Sequence, residues 1–165
     1  MSTEHNENGY RIGVISDTHG MLRSGVTEAF QGVDLILHAG DIDRPRVLKA
    51  LKEIAPVKAV RGNMDRGEWA APLPVTEVVE IGDTTVYMIH NIHEMDLDPS
   101  GAGFQVVIFG HSHRSEIEEK RGVLFLNPGS AGPRRFNYPI TAAVLEIGNS
   151  SFDGKVNPRI IEFPP

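Results

Sequence analysis

The chain has 165 residues, a formal net charge of -6 and no cysteine. That length supports one domain with its own core, and the missing thiols exclude a disulfide scaffold, a thiolate zinc site and a cysteine nucleophile. The acidic balance argues against long-range attraction to DNA, RNA or anionic lipid, and no apolar run reaches membrane-spanning length.

Residues 1–9 are polar and acidic, with neither the basic start nor the apolar stretch of a secretory signal. They read as a disordered tail before a single domain at 10–165, and the expected location is the cytoplasm. A buried strand is expected at 11–15, then a helix from near Ser24 with Val26, Ala29 and Phe30 on one face. A strand at 34–38 follows. The next helix starts after Asp43, with Asp43 as its cap, Pro45 in the first turn and Val47, Leu51 and Ile54 at i, i+4 and i+7. Further strands are expected at 57–61, 76–81 and 84–89, the last two forming a hairpin around Gly82-Asp83. Residues 95–103 read as loop. Strands at 106–109 and 123–126 are joined by a charged stretch whose Glu116, Glu118 and Glu119 read as a solvated connection. Strands at 140–147 and 159–163 close the chain. Strand-helix alternation first and strands later argue a layered α/β sandwich.

The residues after these strands carry the chemistry. Asp17 and His19 follow the first, Asp41 the second, Asn63 the third. His90 follows the strand at 84–89, and His111 and His113 follow 106–109. In open α/β sheets that edge binds ligands. The spacing of two in Asp17-x-His19 and His111-x-His113 would, in extended backbone, aim each pair at one side. Glycines before Asp41, Asn63 and His111 permit tight turns. Imidazole, carboxylate and amide oxygen suit Mn2+, Fe2+, Co2+, Ni2+ or Zn2+. Seven candidate ligands exceed what one ion with an open position needs and suit two ions sharing a carboxylate.

The series "DTH", "GD", "GN", "H" and "GHSH", with "LHAGDI", "VRGNMD" and "LNPGS", resembles the calcineurin-like metallophosphoesterases, and among them the small single-domain phosphodiesterase branch. The resemblance spans residues 11–147. It implies an α/β fold, a four-layer α-β-β-α sandwich of two mixed sheets with the site at the strand ends. It implies one metal on Asp17, His19 and His113, another on Asn63, His90 and His111, and Asp41 between them, with Mn2+ the first choice. Asp41, Asn63 and His111 are then the catalytic set, and a hydroxide shared by the two ions attacks phosphorus. The implied activity is a metal-dependent phosphodiesterase acting on a small phosphodiester. A phosphomonoesterase is the alternative, as is a non-catalytic scaffold like the retromer subunit of this fold. Partners beyond the substrate are not long nucleic acid and not membrane; a homo-oligomer is compatible with the chain.

Asn63, Arg134 and Arg135 are candidates to meet substrate phosphate, although such arginines more often pair with surface acids. His38 reads as supporting the ligands by a hydrogen bond to a ligand or a backbone carbonyl. Asp65 reads as shaping a turn and Trp69 as packing, Arg61 is open to the same two readings as Arg134 and Arg135, and His93 has no assigned role. No general acid is evident. Two features depart from the family pattern. Asn91 stands where many relatives have glycine, and could keep a positive-φ turn. Only 20 residues separate His90 from His111, which predicts a more open cleft.

Overall fold

The computed structural model describes residues 9–148 and 156–165. The expected tail lies outside the described residues, except for Gly9, which is buried and packs against the Ile147 carbonyl. Among the described residues, ten strands form two five-stranded sheets. The first has the order β10 (Val156–Phe163), β9 (Ile140–Ile147), β1 (Tyr10–Ile15), β2 (Leu35–His38) and β3 (Val57–Ala59). The second has β4 (Thr76–Ile81), β5 (Thr84–Ile89), β6 (Val106–Ile108), β8 (Val123–Asn127) and β7 (Glu116–Lys120). Both sheets are mixed: β1, β2 and β3 run parallel, as do β5, β6 and β8, and β9, β10, β4 and β7 pair antiparallel with their neighbours.

The period of two sorts the side chains into layers. Ile12 and Val14 of β1 and Leu35 and Leu37 of β2 face the second sheet, where they meet Val86, Met88, Val106 and Ile108. Ile15 and Ile36 point the other way, onto Val26 and Phe30 of α1 (Ser24–Ala29) and Val47 and Leu51 of α2 (Pro45–Lys52). Tyr87, Ile89, Val107 and Phe109 face outward from the second sheet. Ile92, Met95, Leu97 and Phe104 cover them. The fourth layer is therefore made by the 91–105 segment, with a single 3-10 turn at Ile92–Glu94. Residues 95–103 are loop as expected.

Three details differ from expectation. α2 starts at Pro45 after Arg44, and no side chain caps it; Asp43 is used elsewhere. Residues 116–120 form an edge strand, β7, every residue of which is exposed. It has no buried face, so no apolar alternation announces it, and its charges discourage edge pairing. Asn91 has φ -109, and its side chain accepts the His93 N–H instead of supporting a positive-φ turn. Among the described residues no helix is long and apolar enough to cross a membrane.

Candidate metal centre

Asp17 and His19 leave β1, Asp41 leaves β2, His90 leaves β5, and His111 and His113 leave β6. Their ligand atoms converge in two groups. Asp17, His19 and His113 form one, Asp41, His90 and His111 the other, with the atoms of each group within 4.8 Å of one another. The groups adjoin. Asp41 Oδ2 is 3.2 Å from His90 Nε2 and 3.8 Å from His19 Nε2. Asp17 Oδ1 is 3.5 Å from His113 Nε2 and 3.9 Å from His90 Nε2. Each carboxylate thus lies between histidines of both groups.

The backbone reaches this arrangement by a route the spacing did not suggest. Asp17 (φ 54), His19 (φ 45), Asp41 (φ 58), His111 (φ 74) and His113 (φ 65) are left-handed, not extended. Such residues cost on the order of 1–3 kcal/mol each when they are not glycine, although Asp and His tolerate the region better than most. Asp17 and His19 still share one group. His111 and His113 part company, one to each group.

Packing behind the cluster holds these conformations. The buried Asp65 carboxylate accepts the N–H groups of Asp41, Ile42, Asp43 and Gly62 at 2.8–3.0 Å. This is the turn-shaping role expected of it. A Cβ on Gly62 would strike the Asp41 carboxylate, and one on Gly110 would strike the Ser16 hydroxyl. Only glycine lets those turns approach so closely. Asp17 Oδ2 accepts from Ser16 Oγ at 2.6 Å and from the His111 N–H at 3.1 Å, tying the first and last ligand loops together.

Two histidines are oriented by their second nitrogen. His19 Nδ1 lies 3.1 Å from Asp43 Oδ2, and His90 Nδ1 lies 2.7 Å from the Ala39 carbonyl. Neither oxygen can donate, so in the neutral ring each Nδ1 carries the proton and each Nε2 presents a lone pair to the cluster. Asp43 is the functional residue that sequence reading missed. Its proximity to Pro45 suggested a cap, and only its position two residues after Asp41, matching the carboxylate pattern of "GDID", could have flagged it.

His38 is fully buried and its ring bonds Gly40 and Thr18. Its Nδ1 accepts the Gly40 N–H at 3.1 Å, so its Nε2 donates to Thr18 Oγ1 at 3.0 Å. Thr18 in turn donates to the Ile42 carbonyl at 3.3 Å. His38 therefore buttons the 17–19 loop to the 40–42 loop through backbone and hydroxyl groups. Asn63 is exposed in the 62–65 turn, beside Met64, whose N–H donates to Asp41 Oδ1 at 2.9 Å. Arg134 is not brought to the cluster: its guanidinium bonds the Asn137 carbonyl in a cavity shared with Glu162 and Phe163. Arg135 lies near enough to His113 to oppose its protonation. Arg61 bonds the Ala71 and Leu73 carbonyls, and Trp69 packs against the helix-side core.

Charge is crowded here. Burial raises the Asp17 carboxyl above the usual range against the pull of His90. Burial also acts upward on Asp41, but the His90 ring beside it prevails and brings that carboxyl down to about 2. His90 is raised, because Asp41 and Asp17 outweigh its burial. His113 is lowered by burial, with His19 and Arg135 adding to the effect. Burial lowers His38 to about 3, which keeps it neutral. At the centre, the buried atoms Asp17 Oδ1 and His90 Nε2 have no hydrogen-bond partner among the described residues. Unpaired buried lone pairs of carboxylate and imidazole are what a divalent cation satisfies, so the donor set fits metal.

Residues 10–150 match the family profile described as a Calcineurin-like phosphoesterase superfamily domain. The chain belongs to this superfamily. The phosphoesterase chain is 36% identical, over 161 residues, to a probable metallophosphoesterase of Methanothermobacter thermautotrophicus, covering 88% of this chain and 90% of that protein. It is 32% identical, over 138 residues, to a phosphodiesterase of Methanocaldococcus jannaschii, covering 72% of this chain and 82% of that protein. Its fold is similar to the structure of Vacuolar Protein Sorting 29 from Cryptosporidium parvum, with a TM-score of 0.75 and 22% identity over 96% of this chain and 100% of that one. That last likeness speaks for the fold alone. The family resemblance drawn from the motifs is thereby borne out, as is the α/β sandwich of two mixed sheets.

Proposed function

We propose that this phosphoesterase is a dinuclear metal-dependent phosphodiesterase acting on a small phosphodiester. One observation carries the reading: two adjoining ligand groups share carboxylates, with Asp41 Oδ2 facing histidines from both. Asp17, His19 and His113 would hold one ion, His90 and His111 the other together with Asn63, and Asp41 would stand between them. Two divalent ions bound there would supply Lewis acidity toward phosphate oxygens and would lower the pKa of an attacking water.

The chain's own residues do the rest. Asp43 and the Ala39 carbonyl fix the tautomers of His19 and His90. Asp65 holds Asp41 in its left-handed conformation. Asn63, exposed in the turn whose Met64 N–H bonds Asp41, would orient a phosphoryl group. Arg135 offers a cation for a non-bridging oxygen. His38 is neutral and buried, so it cannot donate a proton to a leaving group. An ester whose alcohol departs without protonation is favoured for that reason. The name of the Methanocaldococcus relative supports a diester over a monoester. Mn2+ is our first choice among the borderline metals.

The test is chelation. EDTA-treated protein should not hydrolyse bis(4-nitrophenyl) phosphate, and added Mn2+ should restore turnover. Full activity in excess chelator would refute the reading.

A further inference from the structure

The "LNPGS" segment supplies none of the seven candidate ligands, yet it reaches two of the ligand loops. β6 and β8 pair in parallel up to Ile108 and Leu126, and the Phe109 N–H donates to the Leu126 carbonyl at 3.1 Å. The next two bonds of such a ladder would come from the N–H of residue 128 and from the His111 N–H to the carbonyl of residue 128. Both are replaced. Residue 128 is proline and has no N–H. The His111 N–H goes to Asp17 Oδ2 at 3.1 Å, and the Pro128 carbonyl accepts the Thr141 hydroxyl at 2.6 Å. The backbone ladder stops where the ligands begin.

The side chain of Asn127 takes over from there. Asn127 ends β8 and is fully buried. Its Nδ2 donates to the Gly110 carbonyl at 3.2 Å and to Ser112 Oγ at 3.1 Å, and its Oδ1 accepts the Gly129 N–H at 2.9 Å. A carbonyl can only accept and an N–H can only donate, so these partners fix which way the carboxamide faces. Gly110 and Ser112 are the two ends of a tight turn. The Ser112 N–H donates back to the Gly110 carbonyl at 2.9 Å, across His111 at φ 74. A bond from residue i to i+2 across a residue of that φ marks the rare, strained form of the γ-turn. Asn127 grips this turn at both ends, with the ligand at its apex.

We infer that Asn127 is a positioning residue of the candidate metal centre: its carboxamide clamps the strained turn that aims His111 at one ligand group and leads the chain on to His113 in the other. The inference rests on the dinuclear reading and adds to it a residue that is itself no ligand. Strain held by packing is strain that a binding ion need not overcome, so the clamp acts by setting the ligands before metal arrives. The rest of the loop ties this turn to the first ligand loop. Ser130 Oγ donates to the Asp17 carbonyl at 3.0 Å, and the Ala131 N–H donates to the Ser16 carbonyl at 3.1 Å. A Cβ on Gly129 would strike the Thr141 hydroxyl, so only glycine lets the loop lie this close to β9. One loop thereby sets the spacing of Asp17, His111 and His113.

Asn127→Asp tests the clamp. A carboxylate keeps the shape and still accepts the Gly129 N–H, but it has no hydrogen to give the Gly110 carbonyl. Mn2+ titration of the purified full chain should show affinity weakened by about tenfold or more, the usual loss when a group that orients metal ligands is removed. Low-temperature EPR reads the coupled ion pair directly. Its signal should be absent from the variant at Mn2+ concentrations that saturate the parent. The control is Val123→Ala, which opens a cavity in the buried start of the same strand, at the end opposite Asn127. It should lower the urea midpoint while keeping the parent's Mn2+ affinity and EPR signal.

If Asn127→Asp does not fold, Ser112→Ala takes its place. Ser112 is exposed, and its loss removes one of the two bonds that Asn127 gives to the turn. Affinity should then fall by about threefold or more. Parent-like Mn2+ affinity in the variant, or an equal loss of affinity in Val123→Ala, overturns the positioning role. A parent that binds two Mn2+ ions but hydrolyses no diester overturns the phosphodiesterase reading alone, since the affinity comparison still decides the role of Asn127. A parent that gives no coupled signal at saturating Mn2+ overturns both.

Discussion

The Asp65 carboxylate lies behind Asp41 and accepts its N–H at 3.0 Å, fixing a left-handed ligand from the side away from the cluster. The same group accepts three more N–H bonds, from Ile42, Asp43 and Gly62. An asparagine there has one accepting oxygen, and its NH2 would face backbone donors. Asp65→Asn should therefore lose on the order of 2–3 kcal/mol of stability, from two buried N–H groups left unpaired. It should also weaken metal binding, through Asp41. Urea unfolding checks the first and metal titration the second; a variant as stable as the parent would remove Asp65 from this role.

Asp41→Asn should keep its fold and lose catalysis. The carboxyl of Asp41 is held at about 2, below its unfolded value of 3.8. Stability from this shift is present above pH 3.8 and is lost as pH falls through 2, so at neutral pH the substitution costs about 1–2 kcal/mol after allowance for partial solvent access. Turnover should fall about 100-fold or more, because on the proposed reading the variant loses the charge that would stand between two cations. Circular dichroism together with diester hydrolysis separates the effects. Near-normal turnover would break the shared-carboxylate assignment.

His38 makes stability depend on pH. Its folded value of about 3 lies below the ordinary 6.5, so between those limits the unfolded chain binds a proton that the folded chain does not. Stability is then lost as pH falls from 6.5 toward 3, by up to about 1.4 kcal/mol per unit. His113, also lowered, adds to the slope in the same direction. His90 is raised, so its contribution is already complete below 6.5, and Asp17, also raised, works against the slope. The comparison that isolates His38 is parent against His38→Gln in metal-free protein. Unfolding midpoints should converge as pH drops from 6.5 to 4; parallel curves would exclude the buried neutral ring.

Metal should displace a proton from His90. Asp41 and Asp17 raise that imidazole in the metal-free protein, and a ligand must be neutral to bind. Binding of Mn2+ should release protons near neutral pH and weaken as pH falls. Titration calorimetry in two buffers of different ionisation enthalpy reads the release directly. Activity should fall below about pH 6.5; a flat profile down to pH 5 would count against histidine ligation.

Most strands were legible because their faces are buried in strict alternation. Ile12 and Val14 face one layer and Ile15 the other, so the apolar run at 11–15 had one reading. β7 was not legible, since a fully exposed strand leaves no hydrophobic period to detect. Asp43 was misread because a carboxylate before Pro45 looks the same whether it caps a helix or reaches His19. Arg134 and Arg135 are neighbours in the chain, and nothing local could say that one would meet Glu162's cavity and the other His113.

By itself, the sequence determined which residue types gather at the strand ends, and hence that the site is built from carboxylate and imidazole without thiolate. That follows from local order: each ligand is a fixed step beyond a buried strand. The motif resemblance already implied how the ligands divide; only the tertiary structure decided how the backbone achieves it. His111 and His113 are two residues apart, yet left-handed backbone sends one toward Asp41 and the other toward Asp17. That backbone depends on hydrogen bonds given to the Asp65 carboxylate and the Ala39 carbonyl, both distant in the chain from the groups that donate to them, on the Ser16 hydroxyl donating to its neighbour Asp17, and on glycines that let separate loops touch. Chain spacing carries no information about contacts of that kind, because they exist only once the two sheets have packed.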